Sequence, residues 1–272
     1  MKIKTLCNIN LYLCLIITFI MFFWGCATRA LITIDRDYLQ QLNQKPIGII
    51  AIVPEKRIEL YEPNKYRVLW IETKDNFYTF ESIWDPSTIL IKNFMKTFQS
   101  QFNLTTFPLQ EKLEIENFQK LVRECETSFN EAREVTKATS AGSSFLKEWV
   151  FSPPHKYLMV KPSDSILSLQ KTLGIDYILE LSLAGIEVQR HTLISAIGVY
   201  VYGRLIRLSD GAVIWLDKGA GSERIDNFDN FSELEQNNLE LLRKYYTSAI
   251  VNLFDPNKTH LNGYFLQGFH SK

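Results

Sequence analysis

The sequence predicts an α/β fold: a mixed β-sheet with helices packed on it, in a single main domain that follows an N-terminal leader. Three observations predict it. The run IGIIAIV, Ile47 to Val53, is apolar throughout, as a strand covered on both faces should be. Tyr177 to Val188, Ile197 to Leu208 and Val213 to Lys218 are rich in β-formers, and Asp210-Gly211 between the last two is a strong hairpin signal. Segments with helical spacing separate these strands, and that order selects a sandwich of helices on a sheet.

The elements follow along the chain. Residues 26–46 read as an anchor and polar tether, with Gln40, Gln41 and Gln44 ahead of Pro46. After the strand at Ile47–Val53, further strands are expected at Tyr66–Glu72 and Phe77–Phe80, entered through turns at Glu62-Pro63-Asn64 and Lys74-Asp75-Asn76. A helix begins at Asp85-Pro86, where aspartate can cap and proline suits the first helical position. Ile91, Phe94, Met95, Phe98 and Phe102 form its apolar face. A second helix spans about Glu111–Thr136, with Ile115, Phe118, Val122, Cys125, Phe129 and Ala132 as its stripe and Glu114, Lys120, Arg123, Glu124, Glu131 and Arg133 opposite. This helix lies in an expected helical insertion at about residues 110–150, and the small residues Ala138–Ser144 read as a loop.

Beyond Pro153-Pro154, a short strand is expected at Tyr157–Val160. Ser163 or Asp164 then caps a helix through Leu173, and Gly174 suits the left-handed position past its end. In the strand meander, Leu179, Leu181 and Leu183 share a face, and Val199, Val201 and Leu205 oppose Tyr200, Tyr202 and Arg204, which predicts one buried and one amphipathic face. A last helix runs from about Asn230 to Phe254, with Leu239, Leu242, Tyr246, Ala249, Ile250 and Leu253 as its stripe. The α/β domain is thus expected over residues 47–254 and a tail over 255–272, where Tyr264, Phe265 and Phe269 either wrap back or stay free.

The leader carries the clearest functional signal. Lys2 and Lys4 precede an apolar run from Leu11 to Trp24 that ends in Gly25-Cys26. A basic start, a short apolar stretch and a small residue at the cut describe an export signal. The run is shorter than the roughly 20 apolar residues a membrane span needs. A cysteine directly after the small residue resembles the bacterial lipoprotein signal. The resemblance implies that residues 1–25 are removed and that Cys26, acylated, becomes the amino terminus. Several fatty chains on one anchor hold permanently, whereas a single chain binds marginally at about 0.8 kcal/mol per buried methylene. Ala27 in place of aspartate implies, by the same resemblance, an outer-membrane anchor facing the periplasm. The alternative is an inner-membrane single-span anchor, in which Leu11–Trp24 borrows Ile9 and Leu31 across the charge of Arg29.

Composition bounds the partners. Removing residues 1–25 of the 272 leaves 247, enough for one ordinary domain. The 30 basic and 30 acidic residues become 28 and 30 once Lys2 and Lys4 are gone, so no excess positive field exists to bind nucleic acid or anionic lipid. Of the four cysteines, Cys7 and Cys14 lie in the leader and Cys26 is the acylation site. Cys125 alone cannot close an intramolecular disulfide, and its place on an apolar stripe reads as a buried small hydrophobe.

A search for chemistry yields no catalytic, cofactor-binding or metal-ligating set. His155, His191, His260 and His270 match no ligand spacing, and neither a Gly-x-Ser-x-Gly elbow nor a phosphate loop is present. Gly219-Ala220-Gly221-Ser222 could touch an anion through backbone N–H groups, but without an adjoining lysine and helix. Glu180 and Glu187 lie on a strand flank, Asp210 serves a hairpin, and Trp70, Trp84 and Trp149 read as core or shell residues.

Leu173-Gly174-Ile175-Asp176-Tyr177-Ile178-Leu179, followed by a long strand and then GVYVYGRLIRLSDGAVIW, carries a resemblance. From about Pro162 to Trp215 the chain is similar to bacterial envelope lipoproteins grouped with the amino-terminal domain of the Tol-Pal translocation protein and the curli secretion channel subunit. The shared positions are structural: Gly174 ends a helix, Asp210-Gly211 turns a hairpin and Trp215 fills the core. The pore-forming hairpin pair of the curli channel has no counterpart, and no functional residue carries over. The resemblance implies an assembly or accessory role. The resulting expectation is a non-catalytic binding module for a membrane or cell-wall complex, with no cofactor and with another envelope protein as partner. A cell-wall-directed hydrolase and a carrier of an apolar ligand are the alternatives.

Overall fold

The computed structural model describes residues 32–34, 36–54, 57–62, 73–79, 85–139, 161–190, 195–225 and 232–255, together with Leu266 and Phe269. In chain order the elements are α1 (Arg36–Leu42), β1 (Ile47–Ile52), β2 (Arg57–Glu62), β3 (Thr73–Thr79) and α2 (Pro86–Thr97), which runs into a π-helical turn at Phe98–Phe102. There follow β4 (Thr106–Pro108), a 3-10 turn at Leu109–Glu111, α3 (Ile115–Thr139), α4 (Asp164–Leu173), β5 (Tyr177–Arg190), β6 (Ser195–Arg207), β7 (Val213–Ile225) and α5 (Ser232–Asn252).

One strand organises the mixed sheet. Along one edge β5 pairs antiparallel with β6, which pairs antiparallel with β7. Along its other edge β5 carries two short parallel strands end to end: β1 opposite Tyr177–Ser182 and β2 opposite Ile186–Gln189. Ile52 faces Ser182 while Ile58 faces Ile186, so six residues of one line span four of the other. The break falls at Pro54, which cannot donate to a ladder, and opposite it β5 has its own irregularity between Leu183 and Gly185. Outside these, β4 pairs parallel with β1 and β3 antiparallel with β2. The seven described strands thus make a sheet five strands wide.

Both faces of this sheet are covered, where the sequence predicts one buried and one amphipathic face. Ile47, Ile49, Ala51, Leu179, Leu181, Val199, Val201, Leu205 and Trp215 point to one side and meet Leu90, Phe94 and Phe98 of α2 and its π-turn and Leu242, Tyr246 and Ile250 of α5. Ile50, Ile52, Ile178 and Leu216 point to the other and meet Leu121, Cys125 and Phe129 of α3 and Ile166 and Leu169 of α4. β1 is buried along its whole length because it sits between these layers.

The helix signals act as read. The Asp85 side chain accepts from the Ser87 N–H at 3.0 Å with Pro86 at the first helical position. Ser163 Oγ accepts from the Ile166 N–H at 3.3 Å, and Gly174 closes α4 with φ 65°. In α3 the stripe is rotated from the expected one. Leu121, Cys125 and Phe129 are buried, Phe118 and Val122 pack beside them, and Ile115 is 72% exposed at the helix start, ahead of the first turn that reaches the sheet.

Both ends of the domain are wider than 47–254. Within the expected tether, the Ile32 N–H donates to the Leu216 carbonyl at 3.1 Å, Ile34 is buried, and α1 plants Leu42 in the core. Apolar residues at 32, 34 and 42 among polar neighbours supply this burial. Of the expected tail, Leu266 and Phe269 are buried against the body. The Phe269 ring lies 4.8 Å from Trp215 and 5.2 Å from both Phe98 and Phe102, centroid to centroid. The expected strands Tyr66–Glu72 and Tyr157–Val160 lie outside the described residues, as does most of Ala138–Ser144, whose first two residues end α3.

Two substitutions test this packing. A Cβ on Gly221 of β7 would sit 2.0 Å from the Ala249 carbonyl oxygen of α5, so Gly221→Ala should force strand and helix apart and cost about 3 kcal/mol, read as a lowered urea midpoint. Phe269→Ala should cost a comparable ~3 kcal/mol. An unchanged midpoint would show that the tail contributes nothing to the fold.

Candidate functional site

Cys26 lies outside the described residues, and so do His155, His191, His260, His270, Trp70, Trp84 and Trp149. The structure bears instead on the motifs of the carboxyl half, which it gathers into two polar clusters, one interior and one at a sheet end.

The interior cluster follows from strand alternation. Glu180 and Arg204 are directly opposed on β5 and β6 and point to the face that α3 covers. Arg204 donates from Nε at 2.9 Å and from Nη2 at 2.7 Å to Glu180 Oε2. Their side chains are 0% and 1% exposed, so the carboxylate is a committed partner inside an apolar layer. Cys125 of α3 is buried over this region. Its burial, and then the negative charge of Glu180, push the thiol well above its usual pKa. A thiol held protonated is a poor nucleophile, so this cysteine packs rather than reacts.

The second cluster is built from the Leu-Gly-x-Asp-Tyr and Asp-Gly phrases. Asp176, just after α4, accepts from Lys45 and, at 3.3 Å, from Gln170 Nε2; the Lys45 bond lowers its pKa. The next residue, Tyr177, lies with its hydroxyl 3.3 Å from that of Tyr38 on α1. Arg207 of β6 donates to Tyr38 Oη at 3.4 Å and to both Asp210 oxygens at 3.0 and 2.5 Å. The Ala212 N–H reaches Asp210 Oδ1 at 3.1 Å, and Gly211 takes φ 73° to close the turn. Arg207 first, and then that N–H, hold the Asp210 carboxyl at about 2. This cluster ties α1, α4, β5 and the hairpin together.

The segment Gly219-Ala220-Gly221-Ser222 is occupied by packing. α5 passes so close at Gly221 that no side chain fits there, and Asn252 Nδ2 donates to the Ser222 carbonyl at 2.7 Å and to Glu223 Oε2 at 2.5 Å. Among the described residues no three His, Cys, Asp or Glu side chains converge as a metal site. Sequence reading missed the Glu180–Arg204 pair and the role of Tyr38. The register Glu180↔Arg204 was available as a signal, since an acid and a base at nearly matched distances from the connection between β5 and β6 face each other across that hairpin.

Two expectations follow. Arg204→Met should cost about 3–5 kcal/mol because it strands a buried carboxylate, whereas Glu180→Leu with Arg204→Met should recover most of that loss in urea unfolding. Burial, and then the Tyr38 hydroxyl, raise the Tyr177 pKa from 10.0 to about 12, so the neutral phenol is favoured in the folded state. Its contribution is complete below pH 10 and is lost as pH rises towards 12; Tyr177→Phe should flatten the fall of the denaturation midpoint across that window.

No family model and no curated protein matches the sequence. Solved structures with similarity include a lipoprotein from Neisseria meningitidis, at 15% identity over 76% of this chain and 99% of that one, with a TM-score of 0.30. A protein from Xanthomonas campestris matches at 8% identity over 76% and 81% of the two chains, with a TM-score of 0.35. The LpoB C-terminal domain from Salmonella enterica matches at 10% identity over 67% and 90%, with a TM-score of 0.19. A bacterial lipoprotein is thus among the similar structures.

Proposed function

We propose that this chain is a lipid-anchored protein of the bacterial envelope, held to the outer membrane through an acylated Cys26 and facing the periplasm. Its folded body is a non-catalytic module that binds another envelope protein within a membrane or cell-wall complex. The observation that carries this reading is the leader: a basic start, a short apolar run, then Gly25-Cys26. Ala27 supports the outer membrane, and the likeness of Pro162–Trp215 to the Tol-Pal and curli group supports an assembly role.

The employment of the polar residues supports binding over catalysis. Glu180 is neutralised by Arg204, Asp210 is held by Arg207, and the Cys125 thiol is kept protonated. Filled layers on both sheet faces support contact at the outer surface over carriage of an apolar ligand inside.

Cys26→Ser tests the anchor. The wild-type protein should incorporate labelled palmitate and resist alkaline extraction, and the variant should do neither. Unchanged extraction resistance in the variant would sink the acyl anchor and favour a peptide span. Crosslinking in intact cells tests the role: capture of an envelope protein supports it, and capture of glycan or lipid alone overturns it.

A further inference from the structure

We infer that the body is mounted against the bilayer that holds its acyl chains, with the outer edge of β7 facing the lipid headgroups. This rests on the acylation of Cys26 proposed above, and on where the folded body begins. The Ile32 N–H bonds to the Leu216 carbonyl in an antiparallel bridge, Ile34 is buried on the α2 and α5 side, and α1 follows directly. The free length between the lipidated residue and the body is therefore the span from Cys26 to Ile32, not the whole of 26–46. Six residue steps reach at most about 20 Å fully extended.

A domain of some 220 residues has a radius of gyration near ~17 Å, so a 20 Å leash is shorter than the body is wide. It cannot carry the body clear of the membrane or let it turn freely. The point of attachment then selects the side. β7 pairs with β6 alone among the described strands, so Ile32 joins the body at a sheet edge. Because the bridge is antiparallel, the amino-terminal side of Ile32 faces the Asp217 end of that edge. The sheet is five strands wide, and at about 4.8 Å per strand the β3 and β4 edge stands some 20 Å further from the headgroups. The bilayer takes the β7 side.

The test uses the full mature lipoprotein reconstituted in phosphatidylethanolamine–phosphatidylglycerol vesicles that carry a headgroup acceptor dye. A donor is placed on Thr33→Cys beside the bridge or on Glu111→Cys beyond β4, both exposed positions. Buried Cys125 does not compete for the label. Transfer should be several-fold stronger from position 33 than from 111. A flexible Gly/Ser insertion of about 20 residues after Ala27, with a mean span near ~25 Å, should lower it at 33 and abolish the difference. Equal transfer from the two sites, or no response to the insertion, with the protein still pelleting with the vesicles, overturns this mounting alone. Failure of the wild-type protein to pellet overturns the acyl anchor and the mounting with it.

Discussion

The fold depends on keeping β5 hydrogen-bonded on both edges while both its faces are buried. A buried strand cannot leave backbone N–H or C=O groups unmet, because each would lose water without gaining a partner. One edge is met by β6 over the whole length, from Tyr177↔Arg207 to Arg190↔Ser195. The other is met by β1 and β2 laid in line, with the change between them placed where Pro54 has no N–H to lose and where β5 is itself irregular. The mixed character of the sheet follows. A parallel line on one side and a hairpin meander on the other are what a chain with this order of segments can supply to a central strand.

The Glu180–Arg204 pair is the polar exception inside this arrangement, and its value is better understood as register than as stability. Burying two charges costs several kcal/mol per ion before their attraction repays it. On the face covered by α3, though, a slip of β6 by one residue would turn Arg204 into the opposite apolar layer and leave Glu180 alone. The same slip would drive Val201 and Leu205 out of their core. Ion pair and apolar alternation therefore select the same alignment of β5 with β6, while the Asp210-Gly211 turn, clamped by Arg207, starts the separate β6–β7 hairpin.

What the sequence revealed follows the same division. Features decided within a few residues were legible: the Asp85-Pro86 and Ser163 caps, Gly174, the hairpin, the apolar strand at Ile47 and the stripes of α2 and α5. Features decided by distant partners were not. β2 (RIELYE) has a strand's composition, but its place is given by the second half of β5. The three residues of β4 are too few for any periodicity. α1 is polar in composition and earns its helix from Leu42 in the core and Tyr38 against Tyr177. Ile115 fits an apolar stripe by spacing and yet faces solvent, because a period fixes which residues align and not where the helix first meets its sheet. For the candidate site, the Gly25-Cys26 leader pattern is an expectation read from neighbouring residues, while the interior pair needed the register.

Both ends of the described chain converge on β7. Ile32 bridges Leu216 on its edge, Phe269 stacks on Trp215 one residue away, and Ala249 of α5 presses on Gly221 further along. A protein fixed to a membrane by its amino terminus is loaded there whenever a partner pulls on it. With the anchor at Cys26 proposed above, that load would enter a strand already locked by a neighbouring strand, a helix backbone and a carboxyl-terminal aromatic. Fraying the edge at Leu216 would disturb the Trp215 ring and the phenylalanine cluster beneath it, so the edge cannot open without engaging the core. The close helix crossing at Gly221 and the docked Phe269 are thus parts of one device, which makes the edge where Ile32 joins β7 one of the most tightly held places in the body.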